Sequence, residues 1–154
     1  MDPIHKAIMR HSQAELIQAI KQGHDVDALD PEGRTALFYA VRDGDTEIVF
    51  ELLRSGANVN VRDKAHKTPL HFGARAYQPA AVDLLLKAGA QVDAQDANGN
   101  TPLSDAVFES RGRGAVIRAL LARGADKKLK NNYGVSPDDL AESISNYDVR
   151  MFLS

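Results

Sequence analysis

The chain of 154 residues contains no cysteine and no tryptophan. Without a thiol it can form no disulfide, build no thiolate zinc site and run no cysteine chemistry, which fits a reducing compartment. Charge of one sign is also scarce: 19 basic against 21 acidic residues leave a net charge of −2, so bulk attraction to nucleic acid or to an anionic membrane is not expected. No apolar run approaches the roughly 20 residues needed to cross a bilayer. The start, Met1-Asp2-Pro3-Ile4-His5-Lys6-Ala7, lacks the basic and apolar stretches of a signal peptide. A cytoplasmic location is therefore expected, although export by a signal-less route would leave the same signature. Catalytic signatures are missing as well. The five histidines (His5, His11, His24, His66 and His71) make no dense ligand cluster. No G-x-S-x-G elbow and no phosphate loop of the G-x-x-x-x-G-K-[ST] type occurs. Arg111-Gly112-Arg113-Gly114 is too short for an RNA-binding tract. Neither an enzyme nor a metal or cofactor site is expected.

What the chain does have is a beat. Thr35-Ala36-Leu37, Thr68-Pro69-Leu70-His71, Thr101-Pro102-Leu103 and Ser136-Pro137 recur at steps of 33, 33 and 35 residues. A second phrase keeps the same time: Leu52-Leu53 with Gly56-Ala57, Leu85-Leu86 with Gly89-Ala90, Leu120-Leu121 with Gly124-Ala125. Self-similarity at this period means stacked units, each too small to bury a core alone.

One unit, residues 30–62, shows the grammar. Asp30-Pro31-Glu32-Gly33 is a turn signal. Ala36 to about Asp43 reads as a short helix with Leu37, Ala40 and Val41 on one face, broken by Gly44. Asp45 can cap a second helix striped by Ile48, Val49, Leu52 and Leu53, which Gly56 ends. Ser12-Gln13-Ala14-Glu15 is a capping-box pattern in the first unit, and Pro79 suits the first turn of its helix. The expected division is a single repeat domain, 1–154: an N-terminal cap at about 1–29, units at 30–62, 63–95 and 96–130, and a C-terminal cap at 131–154.

A turn followed by two antiparallel helices, with T-P-L-H-x-A opening the first and L-L-x-x-G-A closing the second, resembles the ankyrin repeat. Thr68-Pro69-Leu70-His71 matches the opening phrase in full, and Leu85-Leu86-Lys87-Ala88-Gly89-Ala90 the closing one. The resemblance implies an all-α solenoid of helix pairs joined by short β-hairpin-like turns, with terminal capping units. It also implies a histidine bond between neighbouring repeats, which only His71 retains in a full repeat; Phe38 and Ser104 replace it elsewhere. In function it implies a non-enzymatic module that binds another protein through a concave face built from turn tips and inner helices. Thr35, Thr68 and Thr101 are expected to cap the inner helices.

Superposing the units places the variable tips at Pro31, Glu32 and Arg34; at Lys64, Ala65 and Lys67; at Ala97, Asn98 and Asn100; and at Asn132, Tyr133 and Val135. The variable ends of the inner helices are Arg42 and Asp43, Arg75 and Ala76, Phe108 and Glu109. Arginine, tyrosine and phenylalanine dominate binding energy at interfaces, which makes Phe108 the leading anchor, with Arg42 and Arg75 beside it. The two extra residues of the fourth repeat fall within Ser110-Arg111-Gly112-Arg113, a lengthened loop that is either a contact or a neutral insertion. The candidate partner-binding set is Arg34, Arg42, Asp43, Lys64, Lys67, Arg75, Asn98, Asn100, Phe108, Glu109, Arg111, Arg113 and Tyr133. Asp105 puts an acid where equivalent positions carry Tyr39, Phe72 and Leu140. A buried carboxylate needs a partner, for which Arg111 or Arg113 is the expected candidate. Lys127, Lys128 and Lys130 read as a solvated turn or, alternatively, as a docking patch for an acidic partner.

The functional expectation is one protein partner, bound by a monomer without nucleic acid, membrane or cofactor, in a regulatory or inhibitory role. An immunity or inhibitor protein of a bacterial toxin is one alternative. A non-inhibitory scaffold subunit is the other.

Overall fold

A computed structural model describes residues 1–144 and 148–154; the part of the last unit at 145–147 lies outside the described residues. Its helices are α1 (Pro3–Met9), α2 (Gln13–Lys21), α3 (Ala36–Asp43), α4 (Thr46–Arg54), α5 (Pro69–Arg75), α6 (Pro79–Lys87), α7 (Pro102–Glu109), α8 (Ala115–Ala122) and α9 (Pro137–Ser143), followed by a 3-10 turn at Arg150–Phe152. No strand occurs among the described residues.

Each helix is too short to persist alone, so burial must hold it. Odd-numbered helices pack on one another in one row, α1 to α3, α5, α7 and α9, and even-numbered helices form a second row from α2 to α8. Every pair from α1–α2 to α7–α8 also packs across the two rows. The core runs between them: Ile4, Leu16, Leu37, Ile48, Leu52, Leu70, Leu85, Leu103, Ile117 and Leu120 are all fully buried or within 1 % of it. These are the periodic apolar positions of the repeat, and their burial makes the fold a helical repeat solenoid.

The helix starts follow local chemistry. Thr68 and Thr101 accept the amides of His71 and Ser104, as N-caps do. Asp2, Ser12, Asp45 and Ser136 cap their helices in the same way. Thr35 departs from the expected cap. Its hydroxyl makes no cap bond and is a buried oxygen without a partner, while its backbone carbonyl takes the Phe38 amide. The Ser12 box is half made, because Glu15 turns to Arg10 at 3.2 Å instead of to the helix start.

The turns that join the units interlock. Asp30 Oδ1 accepts the amides of Glu32 and Arg34, and Asp63, Asp96 and Asn131 repeat this with the residues two and four positions on. Neighbouring turns are then joined through the backbone, Lys64 N–H to Glu32 O, Ala97 N–H to Ala65 O and Asn132 N–H to Asn98 O, at 2.9 to 3.0 Å. The fourth residue of each tip needs a left-handed conformation. Glycine supplies it at Gly33, Gly99 and Gly134, whereas His66 adopts it at φ 59°. A second set of links joins the units at the ends of the even-numbered row: Asp27 accepts the Asn58 amide, Asn60 that of Gln91, and Asp93 that of Asp126.

Candidate functional site

The tips and the outward side of the odd-numbered helices enclose a groove in three joined sections. The first, of 630 Å³, is lined by Met1, Asp2, His5, Ile8, Met9, Leu29, Asp30, Pro31, Tyr39 and Arg42. The middle one, of 450 Å³, is lined by Arg34, Arg42, Ala65, Lys67, Phe72, Arg75, Ala76 and Glu109. The third, of 300 Å³, is lined by Arg75, Asn100, Ser104, Asp105, Phe108, Glu109, Asn131, Val135, Ser136 and Leu140. Arg42 is common to the first two sections, and Arg75 and Glu109 to the last two, so the groove is continuous along the stack.

Of the residues marked in the sequence, this groove gathers Arg34, Arg42, Lys67, Arg75, Asn100, Phe108 and Glu109. Asp43, Lys64, Asn98, Arg111, Arg113 and Tyr133 do not line it. Phe108 stands 66 % exposed rather than tucked beneath the neighbouring loop. Arg75 has no hydrogen-bond or ion-pair partner among the described residues, while Arg42 forks onto Asp43 at 2.7 and 3.2 Å and lies over the Tyr39 ring.

Several marked residues have structural work that the sequence comparison did not show. Arg34 Nε donates to Asp63 at 3.0 Å, Lys67 Nζ to Asp96 at 2.7 Å, and Asn131 Nδ2 to Asn100 at 2.8 Å. The three positions are equivalent in the repeat, and each ties its turn to the next. Arg113 is likewise engaged. Its guanidinium lies 4.0 Å from the centre of the Tyr77 ring and donates to the carbonyls of Glu109 and Ser110. Tyr77 returns a bond to the Arg113 carbonyl. The lengthened loop is thereby clasped to the preceding unit, leaving Arg111 exposed at φ 49°.

Asp105 has a different partner from the expected arginines. Lys67, reaching across from the preceding turn, lies 3.4 Å from Asp105 and 2.7 Å from Asp96. Arg113 is instead held by Tyr77 and the local carbonyls. Burial pushes the Asp105 carboxyl up to about 6, with Lys67 opposing and the nearby Asp96 charge adding to the rise. For Asp96 itself burial also acts upward, but the Lys67 ammonium and the Asn98 and Asn100 amides outweigh it and hold the carboxyl below its usual range.

His71 spans two units as the motif implies. Its Nε2–H donates to the Asn100 carbonyl at 2.9 Å, and Nδ1 accepts from the Thr68 amide at 3.1 Å, which requires the neutral ring. Burial lowers its pKa to about 4. His5 makes the equivalent bond to the Arg34 carbonyl at 3.1 Å. The signal was present in the opening Asp2-Pro3-Ile4-His5, which parallels Thr68-Pro69-Leu70-His71 without the preceding turn.

The first section has an apolar wall in which Met1, Met9 and Leu29 are 83, 68 and 62 % exposed. These residues have no counterpart in the repeat phrase, so periodicity could not point to them. Among the described residues no group of three or more His, Asp or Glu side chains is placed to hold a metal, and no helix is long and apolar enough to cross a membrane.

Two rows of paired helices and interlocked turns define a helical repeat protein. The family model for ankyrin repeats (three copies) matches residues 4–96 and 45–131. The chain belongs to the ankyrin-repeat family, a non-catalytic fold whose repeats are generally protein–protein interaction modules. No curated protein matches the chain.

Proposed function

We propose that the chain binds one protein partner along the groove of tips and odd-numbered helices, and that it regulates or inhibits that partner by covering its surface. The carrying observation is the continuity of the groove through Arg42, Arg75 and Glu109, with Phe108 exposed on one side of that path. A stack held by turn-to-turn bonds presents these contacts already ordered, so little conformational freedom is lost on docking. The reading takes the chain to act as a cytoplasmic monomer, without nucleic acid, membrane or cofactor.

The test uses a partner recovered with the full tagged chain and then purified. Phe108→Ala should weaken its binding by about 2 kcal/mol, the scale of an interface hot spot. Phe50→Ala, which removes a 56 % exposed ring from the even-numbered row, should leave binding unchanged. Equal affinities for wild type and Phe108→Ala, together with a loss in Phe50→Ala, would move the binding face to the other row and reject the reading.

A further inference from the structure

The middle of the groove differs in charge from its two ends. Arg34, Arg42, Lys67 and Arg75 all line it around the Phe72 ring, and Glu109 is its one acidic neighbour among the lining residues. The counter-ions of Arg34 and Lys67 lie behind them, the Asp63 and Asp96 side chains being 1 and 2 % exposed and that of Asp105 14 %. Asp43, the partner of Arg42, instead keeps 26 % of its side chain open. Arg34 and Arg42 keep 28 and 50 % of their side chains open. The outward layer is thus cationic even though the local sum of charges is not.

Hydrogen-bonding capacity is unbalanced in the same sense. Arg75 brings five N–H donors that no described protein group accepts, and Arg34 gives its Nε to Asp63 with the Tyr39 hydroxyl also beside it. Of the nearby acids, the Glu109 carboxylate has no hydrogen-bond partner among the described residues, whereas Asp30 is fully occupied. Asp30, the acid beside this section, has one oxygen occupied by two amides and the other by the Tyr39 hydroxyl. To either side the lining turns apolar, with Met9 and Leu29 at one end and Phe108, Val135 and Leu140 at the other.

We infer that the segment of the partner that fills the groove carries an aspartate or glutamate between apolar side chains, with its carboxylate held by Arg75. This inference rests on the docking reading given above. A carboxylate suits the site because its two oxygens match one guanidinium fork in number and plane. A phosphate dianion fits less well, since Glu109 and Asp105 border the same arginine and would repel the second charge. The apolar flanks would seat on Phe108 and Leu140 on one side and on Met9 and Leu29 on the other, supplying burial that the ion pair alone does not.

Selection of displayed random peptides on the immobilised full chain tests this, followed by synthesis of the enriched sequences. Enriched peptides should contain Asp or Glu flanked by apolar or aromatic residues. Replacing that acid by its amide should weaken binding to wild type about tenfold, the scale of a hydrogen bond to a charged group. The same replacement should change little on Arg75→Ala, and Arg75→Lys should recover part of the loss. Arg75 is exposed and has no internal polar partner, so these variants keep the fold, which an unchanged thermal melt confirms. Neutral or basic peptides lost in Phe108→Ala would overturn the acidic partner and leave the groove as the docking site. Tighter binding of a phosphoserine peptide than of its glutamate version would do the same. Absence of enrichment, or peptides indifferent to both Phe108→Ala and Arg75→Ala, would overturn the acidic segment and the docking reading together.

Discussion

At the scale of single residues, two buried titrating groups pull stability in opposite directions over the same pH interval. His71 stays neutral to about pH 4 because it is buried, whereas an unfolded histidine takes up its proton near 6.5. The stability it supports is present above pH 6.5 and is lost as pH falls toward 4, by on the order of 3 kcal/mol. Asp105 does the reverse. Its folded pKa of about 6 exceeds the unfolded value, so its ionised form costs stability above pH 6, and that cost disappears as pH falls toward 4. The magnitude is again on the order of 3 kcal/mol, so the two largely cancel. Lys67, Asp96 and Arg75 are the charged groups that act on Asp105. Asp105→Asn should therefore be more stable than wild type at pH 7.5, by on the order of 2 kcal/mol, yet become acid-sensitive between pH 6.5 and 4. Urea unfolding at both limits measures this. Parallel pH profiles for variant and wild type would show that Asp105 carries no such penalty.

At the scale of elements, the lengthened loop before α8 is a tied insertion. Tyr77 occupies a left-handed position at φ 51° where the preceding unit has Gly44, and it is held there by its packing. Its ring is 7 % exposed, its hydroxyl donates to the Arg113 carbonyl and also accepts the Val116 amide, and Arg113 stacks over its face. Tyr77→Phe should keep the ring and lose both bonds, lowering stability by about 1–2 kcal/mol. Amide exchange at 110–116 should rise more than at 43–46, the equivalent turn. Unchanged exchange there would assign the loop's order to its own backbone. Such elements also show where reading a sequence stops. Helix starts at Pro69, Pro102 and Pro137 and the caps at Thr68 and Thr101 were legible, since the determinants lie within four residues of one another, although the same reading failed at Thr35. Arg34, Lys67 and Asn100 were legible as variable but not as occupied. Their partners stand 29 to 31 positions away, and a variable residue that binds its own neighbour looks the same as one that binds a stranger. Asp105 misled in a related way: the need for a cation was readable, but Lys67, 38 positions upstream, was hidden behind nearer arginines.

At the scale of the whole molecule, stability is distributed along the stack, because the main helix packing runs from each unit to its neighbours. Helix α5 is covered by α3 and α7 within its row and by α6 across it, whereas α1 packs mainly on α3 and α2. The histidine and turn links run along the whole stack, His5 and Arg34 doing at one end what His71 and Lys67 do in the middle, so the gradient comes from helix coverage. Opening should therefore begin at the two ends and proceed inward, with the middle of the groove the last part to lose shape. Native-state hydrogen exchange should find the slowest amides in α5 and α7, and opening free energies in α1 and α2 lower by a few kcal/mol. Lys67→Ala would leave Asp96, 2 % exposed, with a buried charge and no cation. That breaks a charged link between two central units and should cost about 3–5 kcal/mol. Exchange should then split into two blocks, residues 1–95 and residues from 96 onward, that open at different free energies. Uniform protection in wild type and a single common loss in Lys67→Ala would mean that the stack unfolds as one unit, and the coupling between repeats would have to exceed what these turn links supply.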